Sequence, residues 1–145
     1  KMILPKIKRK ETKYIIIHCS NSPPSKDLTV CELNKLHRQK GFLNIRYHLI
    51  IKRDGIIEEG RDIDEVGSHT EDLDDQSVSI CLIGGMETDK DNEPRLNYTA
   101  KQWETLKSLV STMCLLYPKA EVVGFNEIDT NKVSPYFDVQ AWFDF

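Results

Sequence analysis

The chain contains no CxxC or CxxH pair, and its four cysteines (Cys19, Cys31, Cys81 and Cys114) are widely spaced. That absence argues against a disulfide framework or a zinc knot; small buried hydrophobes in a reducing compartment are expected instead. No apolar run approaches the ~20 residues needed to cross a bilayer. The start, Lys1-Met2-Ile3-Leu4-Pro5, is too short an apolar stretch for a secretion signal. There is no block of basic residues and the formal net charge is -3, so neither nucleic acid nor a membrane surface is an expected partner. Repeats, low-complexity tracts and interdomain linkers are also missing. With 39% hydrophobic and 30% charged residues, what remains is an ordinary globular composition.

At 145 residues the chain is long enough to bury a core without staples, and one domain over 1–145 is expected, with 1–12 as a basic arm that lies on the surface or frays. Tyr14-Ile15-Ile16-Ile17-His18 reads as a central strand covered on both faces, because three isoleucines in a row leave no polar side. It leaves through Ser20-Asn21-Ser22-Pro23-Pro24, which is loop chemistry. Thr29 and Glu32 then form a capping box, Val30, Leu33 and Leu36 supply an apolar stripe, and Gly41 stops the helix.

The period next changes to two. Residues 47–52 and 56–60 read as strands joined by Arg53-Asp54-Gly55, a hairpin signal. After a loop over 61–76, residues 77–83 form another buried strand, closed by Gly84-Gly85. A charged loop leads to a second capping box, Thr99 with Gln102. The stripe Trp103, Leu106, Val110, Met113 and Tyr117 marks a long helix facing the core. Residues 121–125 are a last strand and 126–135 loop, and Asp138 caps a short helix bearing Trp142. This order predicts an α/β fold with a mixed central sheet of about five strands flanked by about three helices.

A histidine closing a buried strand sits at the rim of a sheet, where open α/β folds hold ligands. The company of His18 gives it meaning. The segments Ile17-His18-Cys19-Ser20, His37-Arg38-Gln39-Lys40-Gly41-Phe42, Tyr47 to Gly55, Glu59-Gly60-Arg61, Val66-Gly67-Ser68-His69 and Cys81 to Gly85 occur in order. Together they resemble the type 2 N-acetylmuramoyl-L-alanine amidases, of the phage lysozyme type, and the peptidoglycan-recognition proteins that share their fold. The resemblance runs from about residue 9 to residue 143.

It implies cleavage of the amide between N-acetylmuramic acid and L-alanine, by a zinc ion held on two histidines and a cysteine with tyrosine and lysine assisting. Carried over by position, His18 matches the first metal ligand, Tyr47 the catalytic tyrosine and Lys132 the catalytic lysine. The family's other two ligands fall on Phe125 and Ser134. A phenyl ring has no lone pair and a serine hydroxyl is a poor substitute for a thiolate, so His18 is the only surviving ligand position and no zinc is expected. His69, Phe125 and Ser134 become candidate substrate contacts, while His37 and His48 read as structural or surface residues.

Three functions follow: binding of a peptidoglycan fragment or related glycopeptide with little or no hydrolysis, amidase activity on an altered metal site, or a protein-interaction role. For the last, the acidic loop over 71–75 and the basic arm are candidate surfaces. A monomer is expected, cytoplasmic or released by lysis.

Overall fold

The computed structural model describes residues 7–42, 44–70, 72–90 and 92–145. Nine elements follow one another: β1 (Tyr14–Cys19), α1 (Val30–Gln39), β2 (Leu49–Ile51), β3 (Ile57–Glu59), β4 (Ser77–Leu82), α2 (Ala100–Leu116), β5 (Glu121–Gly124), α3 (Phe125–Ile128) and α4 (Val139–Phe143). A single 3-10 turn, Asp74–Gln76, precedes β4. The five strands form one sheet in the order β3-β2-β4-β1-β5. β1 runs parallel to β4 and β5, β2 parallel to β4, and β3 antiparallel to β2. The expected mixed sheet is therefore present, with four helices.

The isoleucine run takes its place between β4 and β5 because both of its faces are covered. Ile15, Ile17 and Cys19 join the larger core, with Val78, Ile80, Leu106, Val110 and Met113 of β4 and α2. Alternation turns Ile16 and His18 to the opposite face. There a smaller core of Leu33, Ile45, Ile50, Cys81 and Ile83 lies beneath α1. Both capping boxes form as expected, at Thr29–Glu32 and Thr99–Gln102. Gly41 adopts φ +95°, the left-handed conformation that a helix stop asks of glycine.

Several expectations need correction. The strand expected over 47–52 is only Leu49–Ile51, since His48 bonds to β4 through its side chain: its Nδ1 accepts from Ser79 N–H at 3.0 Å. Phe125 is not the end of β5 but the first residue of α3, a helical turn inside the stretch read as loop. The Glu127 carboxylate folds that turn back by accepting from Gly124 N–H at 2.6 Å. Leu36 is 40% exposed, and its neighbour His37 is buried in its stead. Cys19 and Cys81 are buried, but Cys31 is exposed and Cys114 half-buried, so not all four are core hydrophobes; all are free thiols.

Gln102 has a role beyond its cap. Fully buried, its Nε2 donates to Ile51 O (3.1 Å) and Ile83 O (2.7 Å), tying the start of α2 to the ends of β2 and β4. The arm is docked from residue 7 onward. Arg9 N–H donates to Asp64 O at 2.6 Å, and its Nη1 to Ile63 O at 2.7 Å. Residues 1–6 of the arm, and Glu71 of the acidic loop, lie outside the described residues.

Candidate functional site

A cavity of about 790 Å³ opens where β1 and β5 end, walled by the segment before β2, by residues 68–70 and Asp72, and by the loop around residues 128–132. His18, Tyr47, His69, Phe125 and Lys132 all line it. Sheet register brings the first of these into place: Gly124 pairs with Ile17, so Phe125 emerges level with His18. Their rings lie 4.5 Å apart at 32°. Tyr47 stands on the other side, its ring 5.1 Å from His18 and 5.5 Å from His37.

His18 and His69 form a buried hydrogen-bonded chain. Ser77 Oγ donates to Leu73 O at 2.7 Å, leaving its lone pair to accept from His69 Nε2–H at 3.0 Å. The remaining His69 nitrogen, Nδ1, must then accept from His18 Nε2–H, 2.8 Å away. His18 Nδ1 is left as an acceptor without a hydrogen-bond donor among the described residues. Burial holds both rings neutral, with His18 lowered to about 3 by desolvation and then by the Arg46 charge. His69 is likewise well below the ordinary imidazole range, from burial first and then from its cationic and histidine neighbours. Asp74 lies 3.8 Å from His69 Nε2, but the same oxygen already accepts from the His69 and Thr70 N–H groups, at 2.8 and 2.7 Å. Those bonds fold the loop that presents His69. Gly67 makes room for it: a Cβ there would meet His69 Cδ2 at 2.7 Å.

Tyr47 keeps its proton, since burial pushes the phenol above its ordinary value. Lys132 is exposed on the rim, its backbone N–H donating to Asp129 O at 3.0 Å. Ser134 stands apart from the cavity lining. Its Oγ accepts from Cys19 N–H at 2.9 Å and its carbonyl from Asn126 N–H at 2.8 Å, which pins the 132–135 loop to the end of β1. Of the two readings left open for His37 and His48, structural or surface, burial leaves the structural one: His37 Nδ1 accepts from Arg46 N–H at 3.1 Å, and His48 Nε2 donates to Glu65 O at 2.6 Å.

The sequence reading missed Arg46 and Phe42. The Arg46 guanidinium lies 4.1 Å over the Phe42 ring, and both face the cavity. A cation directly before a strand-entering tyrosine was the available signal. Its meaning depends on contacts distant in the chain.

Comparison with known proteins gives the fold a lineage. A family model described as N-acetylmuramoyl-L-alanine amidase matches residues 8–137. The endolysin of Enterobacteria phage K11 is 38% identical over 135 residues, covering 93% of this chain and 87% of that protein. The endolysin of Escherichia phage T7 is 37% identical over 136 residues, covering 94% and 88%. Among solved structures, the amidase LysC of Clostridium intestinale has a TM-score of 0.79 at 20% identity, over 96% of this chain and 87% of that one. A Drosophila PGRP-LB variant in complex with tracheal cytotoxin has a TM-score of 0.72 at 21% identity, over 90% and 79%; likenesses at such identity carry the fold alone. On the family match and the endolysin identities, this chain belongs to the type 2 N-acetylmuramoyl-L-alanine amidases, the superfamily that includes the peptidoglycan-recognition proteins.

Proposed function

We propose that the chain binds a peptidoglycan fragment in the cavity around His18 and does little or no amide hydrolysis. The observation that carries this reading is the Phe125 ring, packed 4.5 Å from His18. By the resemblance, a second metal-binding imidazole belongs at that position.

A catalytic zinc needs three protein donors and one open position. His18 offers one lone pair, at Nδ1. Phe125 offers none. Ser134 Oγ is a neutral hydroxyl already accepting from Cys19 N–H. Among the described residues, no three His, Cys, Asp or Glu side chains are grouped to hold a metal ion. The positive charge of Arg46 is also felt at His18, where it opposes a second cation. The donor set does not fit zinc.

What the cavity offers is a binding surface. Phe125 and Tyr47 present ring faces and edges to sugar C–H groups or an alanyl methyl, while Arg46 and Lys132 supply charged donors for the polar parts of a glycopeptide. Calorimetric titration with a muropeptide, followed by mass analysis of the recovered ligand, tests the reading. Saturable binding with the amide intact is expected. Release of free peptide would make the chain an amidase with an altered centre, and absence of binding would favour a protein-interaction role.

A further inference from the structure

Four arginines in this fold are half-buried, and three of them give one or both terminal nitrogens to the protein itself. Arg9 gives Nη1 to Ile63 O and Nη2 to Tyr117 Oη. Arg53 gives Nη1 to Asn97 and Nη2 to the Ser22 and Pro23 carbonyls. Arg61 gives Nη1 to Val66 O and to the Glu65 carboxylate. These are cross-links between loops.

Arg46 differs. Its backbone is fixed from both sides, N–H donating to His37 Nδ1 at 3.1 Å and carbonyl accepting from Ser68 N–H at 3.3 Å. The side chain is fixed twice more, by Nε donating to Ser68 O at 2.5 Å and by the guanidinium plane lying on Phe42. Its two terminal nitrogens have no hydrogen-bond acceptor or carboxylate partner among the described residues, and they belong to a cavity-lining residue. A guanidinium held by one edge and one face, with the far edge open, is a preorganised fork for a planar oxyanion.

We propose that Arg46 is the carboxylate-recognising group of the cavity, taking a carboxylate from the peptide part of the bound glycopeptide in a bidentate pair. This rests on the reading that the cavity binds a peptidoglycan fragment. Muropeptides with free acid side chains are then bound in preference to their amidated forms.

The test is calorimetric titration of the full chain with two probes, a muramyl tripeptide with free carboxylates and the same molecule with those carboxylates amidated. Wild-type protein should favour the free acid by about 10- to 100-fold, the range expected for charge-assisted hydrogen bonds. Arg46→Gln should abolish the preference, and Arg46→Lys, which keeps charge but loses the fork, should retain only part of it. The comparison of probes on wild-type protein needs no variant, so a folding defect does not blunt it. Equal binding of the two probes, or a preference that survives in Arg46→Gln, overturns the Arg46 assignment alone. Binding of neither probe overturns the peptidoglycan reading and this inference with it.

Discussion

Gly67→Ala puts a methyl group where the histidine chain leaves no space. The added Cβ would lie 2.7 Å from His69 Cδ2 and 3.1 Å from His48 Cε1. Ordinary contact begins near ~3.4 Å, so the His69 ring must retreat by roughly 0.7 Å. It cannot do so freely, because it is bonded at Nδ1 to His18 (2.8 Å) and at Nε2 to Ser77 (3.0 Å). Overpacking of this kind costs about 1–3 kcal/mol, and weakening one buried hydrogen bond about 1 kcal/mol more. The sum, about 2–4 kcal/mol, corresponds to a fall in Tm of roughly 6–12 °C for a chain of this size. Urea denaturation of Gly67→Ala, His69→Ala and the double variant reads the effect as a cycle. With the ring removed, the alanine meets only the edge of His48, so its cost should drop below about 1 kcal/mol. An equal cost of Gly67→Ala in both backgrounds would refute the account of a locked His69.

Phe125→His together with Ser134→Cys should raise zinc from substoichiometric to about one ion per chain by elemental analysis, since three donors then surround the cavity end of β1; a folded, metal-free double variant would mean that the loop has diverged beyond these two side chains. Gln102→Leu should cost about 1–3 kcal/mol in urea denaturation, because it strands the Ile83 carbonyl in the core and leaves Ile51 O with the Ile83 N–H as its donor. A loss under 0.5 kcal/mol would show that the tie is dispensable. Stability should also fall with acid above the range where carboxylates titrate. His18, His37 and His48 are lowered from 6.5 to about 3, 4 and 4 on folding, chiefly by burial. A depressed folded value means that the unfolded chain takes up protons first. The contribution is whole above pH 6.5 and is lost as pH falls from there toward 4 and, for His18, 3, at up to about 1.4 kcal/mol per pH unit for each ring. Urea midpoints that stay flat between pH 6.5 and 5 would contradict this.

The elements legible from sequence are those whose signals are local. The isoleucine strand, both capping boxes, the Asp-Gly hairpin and the Asp138 cap need only neighbours within a few residues, and each forms. What was missed depends on partners far along the chain. β-Prone Phe125 enters a helical turn because Glu127 reaches back to Gly124 and Asn126 N–H finds Ser134 O. His37 is buried because an N–H nine residues on donates to it. The cavity followed the same rule. His18, Tyr47, His69, Phe125 and Lys132 were found by position within a family pattern and share one lining, while Ser134 lies just behind it. Arg46 matches no such pattern, and only the convergence of Phe42 and Ser68 upon it reveals an open fork.

The central claim is that the cavity holds a peptidoglycan fragment without cutting it. Its most direct test is to titrate the zinc-equilibrated protein with a muramyl tripeptide in the calorimeter and weigh the ligand afterwards by mass spectrometry. Saturable heat with the MurNAc–L-Ala amide intact is the predicted result. Free peptide in the recovered ligand, or no heat at any accessible concentration, would contradict it.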